Sequence, residues 1–171
     1  MKNSICTWVF LFLAIGLCAQ EGFKLGIQGG LPINDFNGEV SVAVGLNTGY
    51  MFALGEVVDL GVDVGYVHGF KETFSDSGLQ DNLKSVQFVP LAVSTRIWPS
   101  NSFSFGGDVG YALGISDGNE GGIYYRPLIS YLMGPQTELN LSYTGISLEN
   151  KTWNTVTIGV VYTFLSARHY R

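Results

Sequence analysis

From Gly22 onward the chain alternates bulky apolar residues with small or polar ones at a period of two. Phe23, Leu25, Ile27 and Leu31 fall on one side, with Lys24, Gly26, Gln28 and Gly30 opposite. The next run sets Val40, Val42, Val44, Leu46, Thr48, Tyr50 and Phe52 against Ser41, Ala43, Gly45, Asn47 and Gly49. A third sets Val58, Leu60, Val62, Val64, Tyr66, His68 and Phe70 against Asp59, Gly61, Asp63, Gly65 and Gly69. The pattern returns at Phe103–Leu113, Leu139–Tyr143 and Val156–Phe164. Successive side chains of a strand point to opposite faces, so each run predicts a strand with one bulky and one small face. Residues 85–98 and 123–133 alternate less cleanly around Pro90 and Pro127. Proline cannot donate to a ladder, so a bulge or local shift is expected at each.

Eight strands result, and the segments joining them alternate in length. Residues 53–56, 99–101 and 134–136 are short turns rich in Gly, Pro, Ser and Asn. Residues 33–39, 71–83, 115–121 and 147–152 are mostly longer and carry most of the remaining charge. An even strand count with long loops at one end and short turns at the other is the habit of outer-membrane barrels. No linker or composition shift divides residues 21–164, which read as one antiparallel, up-and-down meander.

Volume decides which face looks inward. An eight-stranded barrel has an interior only just wide enough for side chains. The bulky faces carry Phe, Tyr, Leu, Ile and Val, and the others mostly Gly, Ala, Ser, Thr and Asn. The bulky set would overfill the cylinder and is therefore expected outside, against lipid. No charged residue falls on a bulky face, which agrees with a cost of roughly 2–4 kcal/mol for a basic side chain facing lipid at mid-bilayer. The small faces carry Lys24, Arg96 and Arg126 together with Asp59, Asp63, Asp108 and Glu138. Unpaired charges would be costly in a dry, narrow lumen. An internal ion-pair and hydrogen-bond network that plugs the barrel is the expectation.

Length and aromatic placement point the same way. Residues 154–164, at about 3.3 Å each and a tilt near 40°, span roughly 28 Å, against a hydrocarbon core of about 30 Å. Tyr50, Phe52, Phe103, Phe105, Tyr162 and Phe164 lie near the short turns, and Tyr66, Phe70, Tyr125 and Tyr143 near the long loops. They predict two girdles at the two membrane interfaces. A sheet in hydrocarbon can leave no edge unpaired, so it must close.

Composition removes other classes. With 13% charged residues, 11 Phe, 9 Tyr and 3 Trp, disorder is excluded. A net charge of −5 and a sequence pI near 4.8 offer no footprint for nucleic acid. Residues 1–20 read as a secretory signal peptide: Lys2, an apolar stretch Trp8–Leu17, and a cleavage zone between Cys18 and Gln20. Lipidation of Cys18 is the alternative, which the large Leu17 before it disfavours. Cys6 and Cys18 both lie in this segment, so the remainder has no disulfide framework or CxxC site. His68 has no outward serine two residues away and no matching carboxylate, and reads as an interface residue. Asp117–Glu120 lacks the ligand spacing of an EF-hand loop. Asp59 and Asp63 fit partners of Lys24 and Arg96 better than a bound cation. No catalytic, metal or cofactor motif emerges, and the chain reads as no enzyme.

These features resemble the small outer-membrane β-barrel families of Gram-negative bacteria, the OmpA/OmpX-like and PorT-like group. The resemblance spans residues 21–164. It rests on Ala19-Gln20, the Gly-aromatic strands, Val89-Pro90-Leu91, Leu141-Ser142-Tyr143 and the final Val160-Val161-Tyr162-Thr163-Phe164. It implies that Val160, Tyr162 and Phe164 form an aromatic β-signal read by the barrel-assembly machinery, with residues 165–171 following as a short tail. The expectation is therefore an exported outer-membrane barrel held in lipid, with a structural or surface-recognition role. An external partner would meet the 71–83 and 115–121 loops. The rival readings are a narrow small-solute pore, an outer-leaflet lipid-modifying enzyme and a soluble calyx-type ligand binder.

Overall fold

The computed structural model describes residues 21–36, 40–72, 74–75, 78–79, 85–116, 119–149 and 151–165. The expected signal peptide, most of the 71–83 connection and the tail beyond Leu165 lie outside the described residues. Eight long strands form one closed antiparallel barrel: β1 (Gly22–Ile33), β2 (Val40–Ala53), β3 (Val58–Lys71), β6 (Val86–Ile97), β7 (Phe103–Gly114), β8 (Gly122–Leu132), β9 (Thr137–Ser147) and β10 (Thr152–Leu165). Each pairs with the next in the chain, and β10 closes on β1 from Gly22↔Leu165 to Ile33↔Asn154. Between β3 and β6 the long connection carries a small hairpin, β4 (Phe74–Ser75) with β5 (Gly78–Leu79). After β1 a 3-10 turn covers Asn34–Phe36.

The two faces divide as the alternation predicts. Ile27, Leu46, Val62, Leu91, Val93, Val109, Ile123 and Ile158 stand outside, each more than half exposed. Lys24, Asp59, Asp108, Ser142 and Thr163 are buried inside. Such an inverted distribution suits hydrocarbon outside the barrel, since a protein in water buries its large aliphatics. The short turns are tight: Leu54 N donates to the Val58 carbonyl at 2.8 Å, and Gly55 takes a φ of 145° there.

Three expectations are corrected. Val40 does not share the outward face of Val42 and Val44: the register shifts between Val40 and Val42, and this bulge turns Val40 into the lumen. Pro90 and Pro127 produce no shift. Pairing with β3 skips from Val64↔Leu91 to Val67↔Phe88, and pairing with β9 skips from Tyr125↔Gly145 to Leu128↔Ser142, each with register unchanged. The other ladder of each strand runs straight through, with Pro90↔Ala112 and Gly107↔Pro127. A missing N–H therefore costs a local gap on one side only. The inner face is also not small throughout, because its long-loop end holds Phe88, Tyr124, Ile146 and Trp153.

Close strand packing depends on several glycines. A Cβ at Gly110 would run into the Leu91 carbonyl and the backbone of Ala92 on the neighbouring strand. Gly110→Val is expected to cost at least about 3 kcal/mol, the upper end for overpacking, because backbone cannot yield as side chains do. Urea unfolding of the refolded barrel, read by tryptophan fluorescence, measures it.

Candidate functional site

The lumen is where the sequence concentrates its charge, and the ring order decides which groups meet. Alternation aims Asp108 of β7, Arg96 of β6 and Arg126 of β8 inward on three adjacent strands. Asp108 is fully buried and takes charge from both sides. Its Oδ1 accepts from Arg96 Nη1 at 2.9 Å and from Ser94 Oγ at 2.6 Å; its Oδ2 accepts from Arg126 Nε at 2.6 Å and from Arg126 Nη2. The rest of the Arg126 guanidinium crosses the cylinder. Nη1 donates to Gln28 Oε1 of β1 at 3.0 Å, and Nη2 lies 3.8 Å from Asp63 Oδ2 of β3. Both partners sit three strands away round the ring, in opposite directions. Asp63 is completed by Asn47 Nδ2 at 3.1 Å.

Nearer the short turns a second group forms. Lys24 Nζ donates to Glu138 Oε2 at 3.1 Å and lies 5.9 Å from the centre of the Trp98 ring, across the lumen. The Trp98 indole N–H donates to Asp59 Oδ2 at 2.8 Å. All seven charged residues singled out in the sequence therefore lie inside and buried. They form two groups, Arg96–Asp108–Arg126–Asp63 and Lys24–Glu138, with Asp59 held by Trp98. Sequence reasoning did not reach Trp98, whose indole serves both Asp59 and Lys24. Its signal was parity, since it follows Ser94 and Arg96 at intervals of two.

At the long-loop end the lumen holds an apolar cluster instead. Trp153 of β10 reaches across to Phe88 of β6, on the diametrically opposite strand, with ring centroids 5.5 Å apart. Phe36, from the 3-10 turn, lies over it at 5.1 Å. Tyr124, Ile146, Val40 and Val67 belong to the same cluster, with Ala43, Ala92 and Ala112. Asp35 Oδ2 accepts from Thr152 N at 2.9 Å, and Lys151 Nζ stands 5.3 Å from the Phe36 ring. These contacts hold the turn down.

On the outer wall, Phe52, Phe103, Phe105, Tyr162 and Phe164 are exposed near the short turns, with Tyr50 half-buried beside Phe52. Phe23 and Tyr131, which the sequence reading did not include, join that level. Near the long loops stand Tyr66, Phe70, Tyr125 and Tyr143; the Tyr125 ring covers Gly145, and Tyr143 Oη donates to Asn154 Oδ1 at 2.8 Å. Val160, Tyr162 and Phe164 face outward at the closing seam, paired with Ile27, Leu25 and Phe23. His68 Nδ1 lies 3.3 Å from Tyr66 Oη on the outer wall. Of the two loops expected to meet a partner, 115–121 is tied to the start of β6. Ser116 Oγ accepts from Gln87 N and donates to the Ser85 carbonyl, and Asn119 Nδ2 donates to the Gln87 carbonyl. Asp117 and Gly118 are outside the described residues.

No family model matches the chain, and no curated protein does. Solved structures do resemble it. The backbone structure of the outer-membrane protein Ail of Yersinia pestis in a phospholipid nanodisc superposes with a TM-score of 0.57 at 16% identity, covering 84% of this chain and all of that one. The crystal structure of Ail gives 0.56 at 14%, covering 86% and 99%. Ail in complex with the heparin analogue sucrose octasulfate gives 0.51 at 13%, covering 85% and all of that chain. The chain has the fold of the small eight-stranded outer-membrane barrels.

Asp108 is the joint of the mid-lumen group. Asp108→Asn leaves two buried guanidinium groups short of a counter-charge and is expected to cost about 3–5 kcal/mol, the penalty for breaking a buried pair from one side. Replacing Arg96, Asp108 and Arg126 together by Met, Leu and Met, with Asp63→Asn so that no buried carboxylate is left without its cation, should recover most of that loss. Unfolding midpoints in urea compare the two variants.

Proposed function

We propose that this chain is an exported, non-enzymatic outer-membrane barrel with a closed lumen, whose long-loop end presents a recognition surface to an external partner. The observation that carries the reading is the set of side chains spanning the cylinder at three heights. Trp153 meets Phe88 near the long loops, Arg126 meets Gln28 and approaches Asp63 in the middle, and Lys24 stands over Trp98 near the short turns. A conducting pore needs a continuous wet path, and each level interrupts one. The apolar outer wall with polar groups turned inward supports residence in lipid. His68, on which a catalytic reading would rest, has its Nδ1 3.3 Å from the Tyr66 hydroxyl on the outer wall.

Loops on a rigid scaffold are where binding usually resides. The 71–83 segment, the longest of these connections and net acidic, is the stronger candidate. Its charge also bears on the partner. In the long-loop connections Asp35, Glu39, Glu72, Asp76, Asp81, Asp117, Glu120 and Glu149 outnumber Lys71, Lys84 and Lys151. Complementarity of potential therefore favours a cationic partner over a sulfated one such as the ligand in the Ail complex.

In planar bilayers the native protein is expected to give no unitary conductance steps. Trp153→Ala, Arg126→Ala and Trp98→Ala combined should produce them by removing all three bridges. Discrete steps from the native protein would overturn the closed-lumen reading. Extraction only by detergent, with heat-modifiable gel mobility, checks the membrane barrel itself.

A further inference from the structure

We infer that the outer wall carries a seat for one lipid acyl chain, floored by Gly29 at the seam of β1, β2 and β10. This rests on the membrane-barrel reading above and deepens it. Gly29 has outward parity, in line with Phe23, Leu25, Ile27 and Leu31, yet contributes no side chain. It lies in a recess of about 620 Å³, walled by Ile27, Val44, Leu46, Ile158 and Val160, with almost wholly apolar lining. That size falls within the roughly 300–1,000 Å³ of ordinary ligand pockets.

The fold does not demand a glycine there. A Cβ at Gly26 would strike the Asn47 side chain, and one at Gly30 the Val156 carbonyl. At Gly29 a Cβ would meet nothing nearer than the Ala43 carbonyl oxygen at 4.0 Å, and its φ is not in the left-handed region. The space is thus free of any packing or backbone requirement of the barrel.

The shape selects the occupant. Two barrels meet along one line of contact, so a second copy would rest on the flanking Leu46 and Val160 and leave the floor untouched. A thin, flexible hydrocarbon chain reaches the floor. The upper rim is amphipathic: Tyr66 lines the recess and its hydroxyl lies 3.3 Å from His68 Nδ1, on the long-loop side. Aromatic side chains with a polar tip favour the headgroup level. A phospholipid would lie with one tail over Gly29 and its headgroup beside Tyr66 and His68.

The test uses the full barrel reconstituted with phosphatidylethanolamine bearing a diazirine in one acyl chain. After irradiation, label should concentrate on Ile27, Val44 and Leu46 rather than on Val93 and Val109 across the barrel. Gly29→Leu should raise the floor of the recess and lower that preference about tenfold, the equivalent of roughly two methylenes of lost burial. Tail labelling at Val93 and Val109 should not change. Should Gly29→Leu fail to show heat-modifiable mobility, Val44→Phe narrows the recess from its side and should lower the preference in the same direction. Even labelling round the barrel, or a preference untouched by these variants, overturns the proposal. So does a chemically cross-linked dimer that Gly29→Leu abolishes, which would assign the recess to a second copy. Failure of the membrane reading is a different result: no outward position would be labelled at all.

Discussion

The circumference of eight paired strands fixes how much matter the cylinder can hold, and the rest of the molecule follows from that volume. Bulky side chains can enter only where something opposite gives way. Trp153 crosses the lumen because Gly69 leaves room: a Cβ there would strike the far edge of the indole. Gln28 reaches Arg126 over Gly45, whose Cβ would come within 2.7 Å of the amide nitrogen. Most of the inner face is small because long polar side chains occupy the axis. The outer face is bulky because nothing outside limits it.

Filling that volume with charge rather than hydrocarbon has an energetic logic beyond stability. A buried ion pair is weak evidence for stability, since desolvation offsets most of the attraction. Its effect on register is stronger. A slip of one residue in any strand exchanges its faces. For β3 it would put Asp59 and Asp63 on the outer wall; for β8 it would put Arg126 there, at roughly 2–4 kcal/mol for a basic side chain at mid-bilayer. Slipped pairings are thereby penalised twice, because Asp108 and Asp63 would also lose their partners. The lumen charges thus help to hold each strand in its one allowed register. They do so on strands whose glycine-rich inner faces would otherwise specify register weakly.

Parity within a strand is a local property, and it was legible. Alternation alone assigned Lys24, Asp108 and Glu138 to the small face, and volume then turned that face inward. What a strand meets across the lumen depends on its place in the ring and on the stagger between neighbours, and neither is local. Arg126 reaching both Gln28 and Asp63 could not be read from spacing. The aromatic closure was partly legible: Phe88, Tyr124, Ile146 and Trp153 share parity with Ser94, Arg126, Glu138 and Thr157. The volume rule, applied to the whole length of the strands, hid them, because it fails at the loop end where facing glycines make room. Val40 was lost to a bulge that no residue type announced. The prolines misled in the other direction: a missing donor removed a few pairings from one ladder while the second ladder held the register.

A cylinder built on these rules constrains its sequence loosely. Small-in, bulky-out alternation with balanced internal charge can be met by many sequences, which accounts for a shared fold with Ail at 16% identity. Such a likeness therefore carries no function, and function belongs in whatever the rules leave undetermined. The side chains of the lumen are largely committed to one another, with Trp153 left without an acceptor for its indole N–H among the described residues. A buried donor left unpaired costs about 1–3 kcal/mol, a sign that spanning the lumen dominates at that position. The undetermined parts are the long-loop end, where charge is unequal, and the outer wall wherever a side chain is absent without structural cause. Gly29 is such a place, and it lies in the seam where the first and last strands meet.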